Sequence, residues 1–503
     1  MNAMTNKQQV IVIMTDTQRK DMLGCYVDTG LKTPCLDRLA MQGIRFERAY
    51  CCQPVCGPAR AALFTGTYPH SNGSWANCMP IGDNVKTVGQ RLTEHGVHTA
   101  YIGKWHLDGG DYFGTGICPP GWDANYWYDI RTYLEELSPA DRLRSRDKNV
   151  NREGIDEDFT FGRRCSNRAI DFIESNHDSG FLLVLSFDEP HDPFLCPEPF
   201  ASMYEGYEFP KSPAFYDDLK TKPAHQQAWS AGFCNRPLPE KQSFARNYID
   251  FFGCNSFVDA EIGRVIDSID QHCPDAMVIY TTDHGDSLGD HGIWNKGPMM
   301  YDGITNIPLL IRWPGQTPAG SVSPHPVSHI DIVPTLLDYF GVPQSKVLEG
   351  NSLFPCLRDP TERINDAVYI EFGRYEVDHD GFGGFQPISC ACDGQHKLVV
   401  NLLTSDELYD LTTDPYELDN LIDSPLHAQI RNDLHDKLID WMNRGRDPFR
   451  GYYWLNRPWR NDAPPPTWEF TRMTRQREED ECYEPRQLDY ATGLPIEVAV
   501  RLK

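Results

Sequence analysis

What most limits the fold of this chain is a set of short, uninterrupted apolar runs: Val10-Ile11-Val12-Ile13-Met14, Phe181-Leu182-Leu183-Val184-Leu185 and Met277-Val278-Ile279-Tyr280. A strand with one wet face alternates apolar and polar residues, so a run that is apolar throughout belongs in a sheet covered on both faces, as parallel sheets are. Helical stretches lie between the runs. Thr33-Pro34 pairs a capping residue with a first-turn proline and opens a helix through Leu36, Leu39 and Ala40 that stops near Gly43. Thr87 to His95 predicts a second helix closed by Gly96, after which Thr99-Ala100-Tyr101-Ile102 leads into Gly103. Ile262, Val265, Ile266 and Ile269 mark the buried stripe of a helix just before the third run. The pattern predicts an α/β fold, doubly wound, with a central mostly parallel sheet flanked by helices. At 503 residues the chain exceeds one ordinary core, so a smaller second unit is expected.

In such sheets ligands gather outside the carboxyl ends of the strands. Polar residues stand there: Asp16 after the first run, Lys104 and His106 after Ile102, His191 and Asp192 after Leu185, and Asp283 and His284 after Tyr280. Any one of them alone reads equally well as a cap or a surface residue. Their joint placement points to one site. Thr281-Thr282-Asp283-His284 offers oxygen and nitrogen donors at a strand end, and Asp16 can complete the site from another strand. Carboxylate oxygens suit calcium or magnesium, while the histidine leaves manganese or zinc open.

The segment Cys51-Cys52-Gln53-Pro54-Val55-Cys56-Gly57-Pro58-Ala59-Arg60 runs into Ala61-Ala62-Leu63-Phe64, good helix formers following a proline. A helix start presents unpaired N–H groups to an anion. Cys56 there reads as a nucleophile, as a buried structural thiol, or as part of a Cys51/Cys52/Cys56 metal cluster. The Cys-Cys-x3-Cys spacing is not a zinc pattern, and no Cys or His pair follows at finger spacing. The segment resembles the sulfatase signature Cys-x-Pro-x-Arg, in which the cysteine is oxidised to formylglycine and the hydrated aldehyde becomes the nucleophile. The resemblance covers residues 10 to about 425. It implies an alkaline-phosphatase-like fold, sulfate ester hydrolysis, and a divalent cation held by Asp16, Cys56 as formylglycine, Asp283 and His284, with calcium the usual ion and magnesium the alternative. The family generally places a second Asp, Asn or Gln right after the first aspartate, where this chain has Thr17 and then Gln18.

Gly96 to His106 is similar to the family's second signature, which implies that Lys104 and His106 hold the sulfate and the formylglycine hydroxyls. Asp188-Glu189-Pro190-His191-Asp192-Pro193-Phe194 resembles the loop whose histidine, here His191, faces the leaving group. Lys296, in Trp294-Asn295-Lys296-Gly297-Pro298, matches a lysine that binds sulfate from the far side. His291 lies near this loop and reads equally well as structural. Under this resemblance Arg60, Lys104, Lys296 and the cation stabilise the charge that sulfuryl transfer spreads over oxygen. His191 donates to the departing alcohol and His106 takes the later proton, two roles that could be exchanged.

Lys+Arg 47 against Asp+Glu 72 gives a net charge of −25, which opposes nucleic-acid and anionic-membrane binding. An anionic substrate therefore requires a locally positive pocket. Met1 to Gln9 has no cleavable signal, and the apolar run that follows is too short to span a membrane. With sixteen scattered cysteines, this predicts reduced thiols and a cytoplasmic protein.

Turn formers from Glu349 to Pro360 suggest a catalytic domain over 8–355. Ala367-Val368-Tyr369-Ile370, Lys397-Leu398-Val399-Val400 and Glu407-Leu408-Tyr409-Asp410, with a helix near Ile430 to Met442 turning Leu434, Leu438 and Trp441 inward, predict a smaller α+β subdomain with an antiparallel sheet over 356–450. Residues 451–503, with Pro464-Pro465-Pro466, read as an extended arm that wraps its own subunit or a partner, leaving a homo-oligomer open. The stretch Arg374 to Phe385 is either an ordinary solvated loop or a sugar-recognising one, in which Arg374 and His379 contact substrate and Arg374 pairs a uronate carboxylate. Around it the chain resembles bacterial carbohydrate sulfatases more than arylsulfatases. That implies a sulfated sugar substrate, a 2-O-sulfated uronic acid unit foremost, and a maturation enzyme that generates formylglycine as a partner. Two rivals stand beside it. One is a phosphate or phosphonate monoester hydrolase of the same superfamily, whose members usually lack the Gly-Lys-x-His seen at Gly103, Lys104 and His106. The other is a non-catalytic sulfoglycan-binding protein, should Cys56 remain a thiol.

Overall fold

The first apolar run becomes β1 (Gln9–Thr15), a central strand of an eight-stranded sheet. The structure is a computed structural model that describes residues 7–232, 248–377, 384–445, 447–460, 488–495 and 498. The other strands of the large sheet are β2 (Ile44–Tyr50), β3 (His98–Gly103), β4 (Phe181–Ser186), β5 (Met277–Thr282), β6 (Asn306–Ile307), β7 (Leu309–Arg312) and β8 (Ser321–Ser328). They lie in the order β3-β4-β1-β5-β7-β2-β6, with β8 also paired to β2. Strands β3, β4, β1 and β5 are mutually parallel. Because β7 is antiparallel to both β5 and β2, β2 runs in the same direction as β1. With β8 parallel to β2, six strands thus end on one edge.

The period of two explains the two cores. Ile11, Ile13, Leu183, Leu185, Val278 and Tyr280 point to one face, where helices Pro34–Gln42, Phe161–Asn176 and Ile249–His272 cover them. Val10, Val12, Met14, Leu182, Val184, Met277 and Ile279 point to the other, under helices Cys56–Thr65, Val88–Thr93 and Ile332–Phe340. Each such side chain contributes about 1.5–3 kcal/mol relative to exposure, which makes the strand core the rigid platform for whatever its ends carry. The predicted stripe of Ile262, Val265, Ile266 and Ile269 is buried as expected. The helix after Thr87 is capped by a reciprocal pair, Thr87 with Gln90, and ends at Thr93, before His95.

One glycine is needed for close approach. Gly103 ends β3 with φ +119, and a Cβ there would meet the Ser186 carbonyl oxygen at 1.8 Å. The contact brings the residues after β3 and β4 together.

The smaller unit is an antiparallel sheet in the order β12-β11-β10-β9, from β9 (Val368–Arg374), β10 (Phe385–Cys392), β11 (His396–Asn401) and β12 (Glu407–Asp410). Helix Ala428–Arg444 packs on it through Leu434, Leu438 and Trp441. Strand β10 was not among the expected elements. The start of the expected arm lies on this unit: Trp454 is buried, and Arg457 pairs with Asp406 at 2.8 Å. The fourteen described cysteines are all free thiols. Among the described residues no helix is long and apolar enough to cross a membrane.

Candidate active site

Asp16 follows β1, Cys56 follows β2, Lys104 and His106 follow β3, Asp188 and His191 follow β4, and Asp283 and His284 follow β5. Because these five strands end on one edge, residues far apart in the chain meet there. Cys56 opens helix Cys56–Thr65, whose Val55 N-cap offers no capping side chain. The Gly57 N–H donates instead to Asn77 Oδ1 at 2.9 Å, so a polar side chain from another loop completes the helix start.

Arg60 lies one turn further on and is fully buried. Its Nε donates to Asp283 Oδ2 at 3.0 Å and its Nη2 to Asp16 Oδ2 at 3.1 Å. Its Nη1 donates to the Lys104 carbonyl at 2.8 Å and to Ser186 Oγ at 2.7 Å. All three nitrogens are thereby engaged, and they tie together the ends of β1, β3, β4 and β5. The guanidinium thus acts as a strut between the strand ends.

The ligand atoms of Asp16, Cys56, Asp283 and His284 all lie within 4.8 Å of one another, and all four residues are buried. His284 Nδ1 faces the Gly285 carbonyl at 2.9 Å, and a carbonyl only accepts, so Nδ1 carries the proton. Nε2 faces Cys56 Sγ, 3.2 Å away; burial and Lys296 oppose charge on the ring, but Asp283 and Cys56 outweigh them and raise it above the ordinary histidine value, so Nε2 can hold a proton toward an anionic sulfur. Two carboxylates and an imidazole nitrogen converging in a buried space fit a divalent cation. Gln18 Nε2 donates to Asn255 Oδ1 at 2.6 Å and its oxygen accepts from Tyr280, so its amide is turned away. Thr17 stays at the cluster, its Oγ1 donating to Asp16 Oδ1 at 2.6 Å.

Lysines supply the positive surroundings that a chain of net charge −25 requires. Lys104 Nζ contacts Asp16 Oδ2 at 2.7 Å, Asp188 Oδ1 at 3.0 Å and the Tyr112 hydroxyl at 2.8 Å. Lys296 Nζ donates to Thr17 Oγ1 at 3.3 Å. Burial opposes the charge on Lys296, but the anions around it outweigh that and hold it protonated. Burial also raises the Asp16 carboxyl, yet Lys104, His191, Lys296 and Arg60 hold it well below the usual carboxylate range. Burial and the Asp16 charge together lift Asp283 to about 6. At Cys56, burial and Asp16 push the thiol up, and Lys296, His284 and Lys104 overcome them to hold it well below the ordinary range. An anion at position 56 is therefore stabilised.

His106 is buried beside Cys56, and among the described residues neither ring nitrogen meets the geometry of a hydrogen bond. Burial, reinforced by Lys104, pushes it below the ordinary histidine value, so it is a neutral imidazole able to accept a proton. His191 is half-buried, its Nδ1 lying 2.9 Å from the Asp192 carbonyl and 3.0 Å from the Tyr112 hydroxyl.

His291 is not part of this site: its Nδ1 meets Asp217 at 2.8 Å and its ring stacks on Tyr301 at 3.7 Å. Cys51 and Cys52 do not join Cys56 in a metal-type group among the described residues. Arg374 is half-buried at the end of β9, and the Asn77 N–H donates to the next residue's carbonyl, that of Tyr375, at 2.9 Å, linking this hairpin to the start of the Cys56 helix. His379 lies outside the described residues. Sequence reasoning missed Tyr112 and Asn77, which sit in no motif, and gave no role to Asp188, although it opens the His191 loop.

A family model described as Sulfatase matches residues 8–342. The chain belongs to the sulfatase family. A second model, N-sulphoglucosamine sulphohydrolase, C-terminal, matches residues 289–444 of this sulfatase. It is 44% identical over 495 residues to the "Uncharacterized sulfatase YidJ" of Escherichia coli (strain K12), covering 97% of each chain. It is 25% identical over 516 residues to the N-acetylglucosamine-6-O-sulfatase of Bacteroides thetaiotaomicron, covering 88% of each. A solved structure of a protein in complex with its substrate D-glucosamine-2-N,6-O-disulfate shares the fold with a TM-score of 0.70 at 21% identity, covering 88% of this chain and 99% of that one. The sulfatase is accordingly a sulfuric ester hydrolase.

Proposed function

We propose that this sulfatase removes sulfate from a sugar, with formylglycine made from Cys56 as the nucleophile. A divalent cation, calcium by family preference, would be held by Asp16, Asp283 and His284 together with residue 56. The observation that carries the reading is the meeting, at one sheet edge, of Cys56 at a helix start, a buried carboxylate and histidine donor set, and the ammonium groups of Lys104 and Lys296. When bound, the cation supplies Lewis acidity toward oxygen. The oxidised residue, once hydrated, supplies one hydroxyl to attack sulfur and a second to release sulfate, which neither a thiol nor a serine has. A maturation enzyme must carry out that oxidation.

The chain's own residues divide the remaining work. Lys104 and Lys296 bind sulfate oxygens and meet the negative charge that grows there. Arg60 fixes the two carboxylates and the strand ends. His191 gives a proton to the departing sugar oxygen, and the neutral His106 takes the proton whose removal frees sulfate.

A sugar is favoured by the relative named for N-acetylglucosamine-6-O-sulfate chemistry and by Arg374, which is placed at the hairpin tied to the helix start and suited to a uronate carboxylate. The test is a panel on the matured enzyme: a 2-O-sulfated uronate disaccharide, 6-O-sulfated N-acetylglucosamine, 4-nitrophenyl sulfate and 4-nitrophenyl phosphate. The expected result is the highest kcat/KM on one of the sugar sulfates, with Arg374→Ala lowering it for the uronate alone. Turnover confined to the aryl sulfate would defeat the sugar reading. A preference for the phosphate ester would favour the phosphorus-specific rival.

A further inference from the structure

One side chain touches three of the residues assigned chemical roles above, and Asp188 besides, and no motif announced it. The Tyr112 hydroxyl accepts from Lys104 Nζ at 2.8 Å, donates to Asp188 Oδ1, and lies 3.0 Å from His191 Nδ1. Its ring stands 5.1 Å from the His191 ring and 5.5 Å from the His106 ring, with Lys104 Nζ 4.0 Å from its centroid. We propose that Tyr112 is a positioning residue for the acid step of sulfate ester cleavage, fixing the orientation and tautomer of His191 so that Nε2 delivers the proton to the leaving oxygen.

The argument is one of counting protons. A phenol has one O–H. A carboxylate accepts and an ammonium donates, so the Tyr112 proton goes to Asp188 and one lone pair of its oxygen goes to Lys104. What remains toward His191 is an acceptor. The other atom facing His191 Nδ1 is the Asp192 carbonyl oxygen at 2.9 Å, also an acceptor. Nδ1 is therefore the N–H of the ring in every protonation state, and Nε2 is the nitrogen that gains and loses a proton. As the sulfur–oxygen bond breaks, the Nε2 proton passes to the leaving oxygen and Nδ1–H stays on Tyr112 and Asp192. Tyr112 itself stays neutral. Lys104 and Asp188 form the other end of the same network, since they contact each other at 3.0 Å. Tyr112 thus connects a sulfate-binding lysine to the acid.

This inference rests on the reading of His191 as the acid, and the experiment separates the two. Matured full-length enzyme is assayed on aryl sulfates of falling leaving-group ability, from 4-nitrophenyl through phenyl to 4-methoxyphenyl sulfate. A good leaving group needs little protonation and a poor one needs much. General acid catalysis is worth about 10²–10⁴-fold, so Tyr112→Phe, which removes only the hydroxyl, should lower kcat/KM about 10-fold or more on 4-methoxyphenyl sulfate and about 3-fold or less on 4-nitrophenyl sulfate. His191→Ala should show the same gradient, only steeper. In the His191→Ala background, Tyr112→Phe should cost about 3-fold or less on every ester, because two residues acting as one unit are not additive. A uniform loss across the series, or none, in Tyr112→Phe alone overturns the role of Tyr112 and leaves that of His191 standing. A flat series in His191→Ala overturns both. Thermal unfolding checks that Tyr112→Phe is folded. Should it not fold, Asp188→Asn, which keeps the phenol but removes the carboxylate fixing its proton, is expected to give the same graded loss, and a flat response there overturns the proposal.

Discussion

At the carboxyl edge of the large sheet, Asp16, Asp283 and His284 share their space with Arg60, Lys104 and Lys296. Beside the C-terminal sheet, Glu349, Glu371 and Asp447 gather around His70. The two clusters look alike in kind, since His70, Glu371 and Asp447 also bring their ligand atoms within 4.8 Å of one another. They differ in what answers the negative charge. In the first, fixed cations hold the Asp16 carboxyl ionised despite burial, while Asp283 beside it rises to about 6. In the second, protons do the work: burial and the Glu371 carboxylate lift Asp447 to about 6. Burial opposes the charged form of His70, but Glu371, Glu349 and Asp447 outweigh it and raise His70 to about 10. A cluster supplied with lysines can receive a cation and a sulfate together. A cluster supplied with carboxylates holds protons, and here it clamps two units through His70 Nδ1 and Glu371 Oε2 at 2.7 Å.

The sharpest break of this contrast is at Arg60. Arg60→Ala leaves the buried Asp16 and Asp283 facing each other without their strut, and removing one partner of a buried pair costs about 3–5 kcal/mol. Denaturant unfolding should register that loss along with activity. Lys296→Ala should instead leave the fold intact and lower kcat by about 10²–10³-fold, the usual cost of one preorganised charge-stabilising donor. Steady-state kinetics beside a melting curve distinguishes these two outcomes. If Lys296→Ala lowers stability and not kcat, the lysine belongs to the clamp type.

The smallest effect lies at the second cluster. Glu371→Gln removes a charge-assisted hydrogen bond worth about 1.5–3 kcal/mol and should leave turnover nearly unchanged. The folded-state value of His70 lies above its unfolded one, so the contribution is complete below pH 6.5 and is lost as pH climbs through about 10. The stability gap between wild type and Glu371→Gln should close over that range. A gap that widens with pH would show that His70 is not the charged partner.

How far the sequence announces all this depends on the range over which each feature is decided. Apolar runs at β1, β4 and β5 are local and legible. So is the rule that carries Asp16, Lys104, His106, His191, Asp283 and His284 to one edge. That Cys56 joins them depends on the direction of β2, which is set through the antiparallel β7 between it and β5 and is invisible locally. The role of Arg60 is a matter of distance: the motif marks the residue, and only the packing shows its nitrogens spent on protein oxygens. Tyr112 sits in a glycine-rich stretch with nothing to mark it, because its partners come from the ends of β3 and β4. Strand β10 escaped because Pro387 lies inside it and its alternating inward residues, Ile388, Cys390 and Cys392, are mostly small thiols and weak strand formers, so its place is fixed by pairing to β9 and β11 on either side.

The central claim, an oxidised side chain at position 56, is tested most directly by the mass of the peptide bearing that residue, measured alongside turnover across preparations matured to different extents. Replacing CH₂–SH by an aldehyde lowers the mass by about 18 Da, which no step of ordinary thiol oxidation does. The account predicts that kcat rises in proportion to the fraction of the lighter peptide and vanishes in Cys56→Ala. Full turnover from chains whose residue 56 is entirely thiol would contradict it.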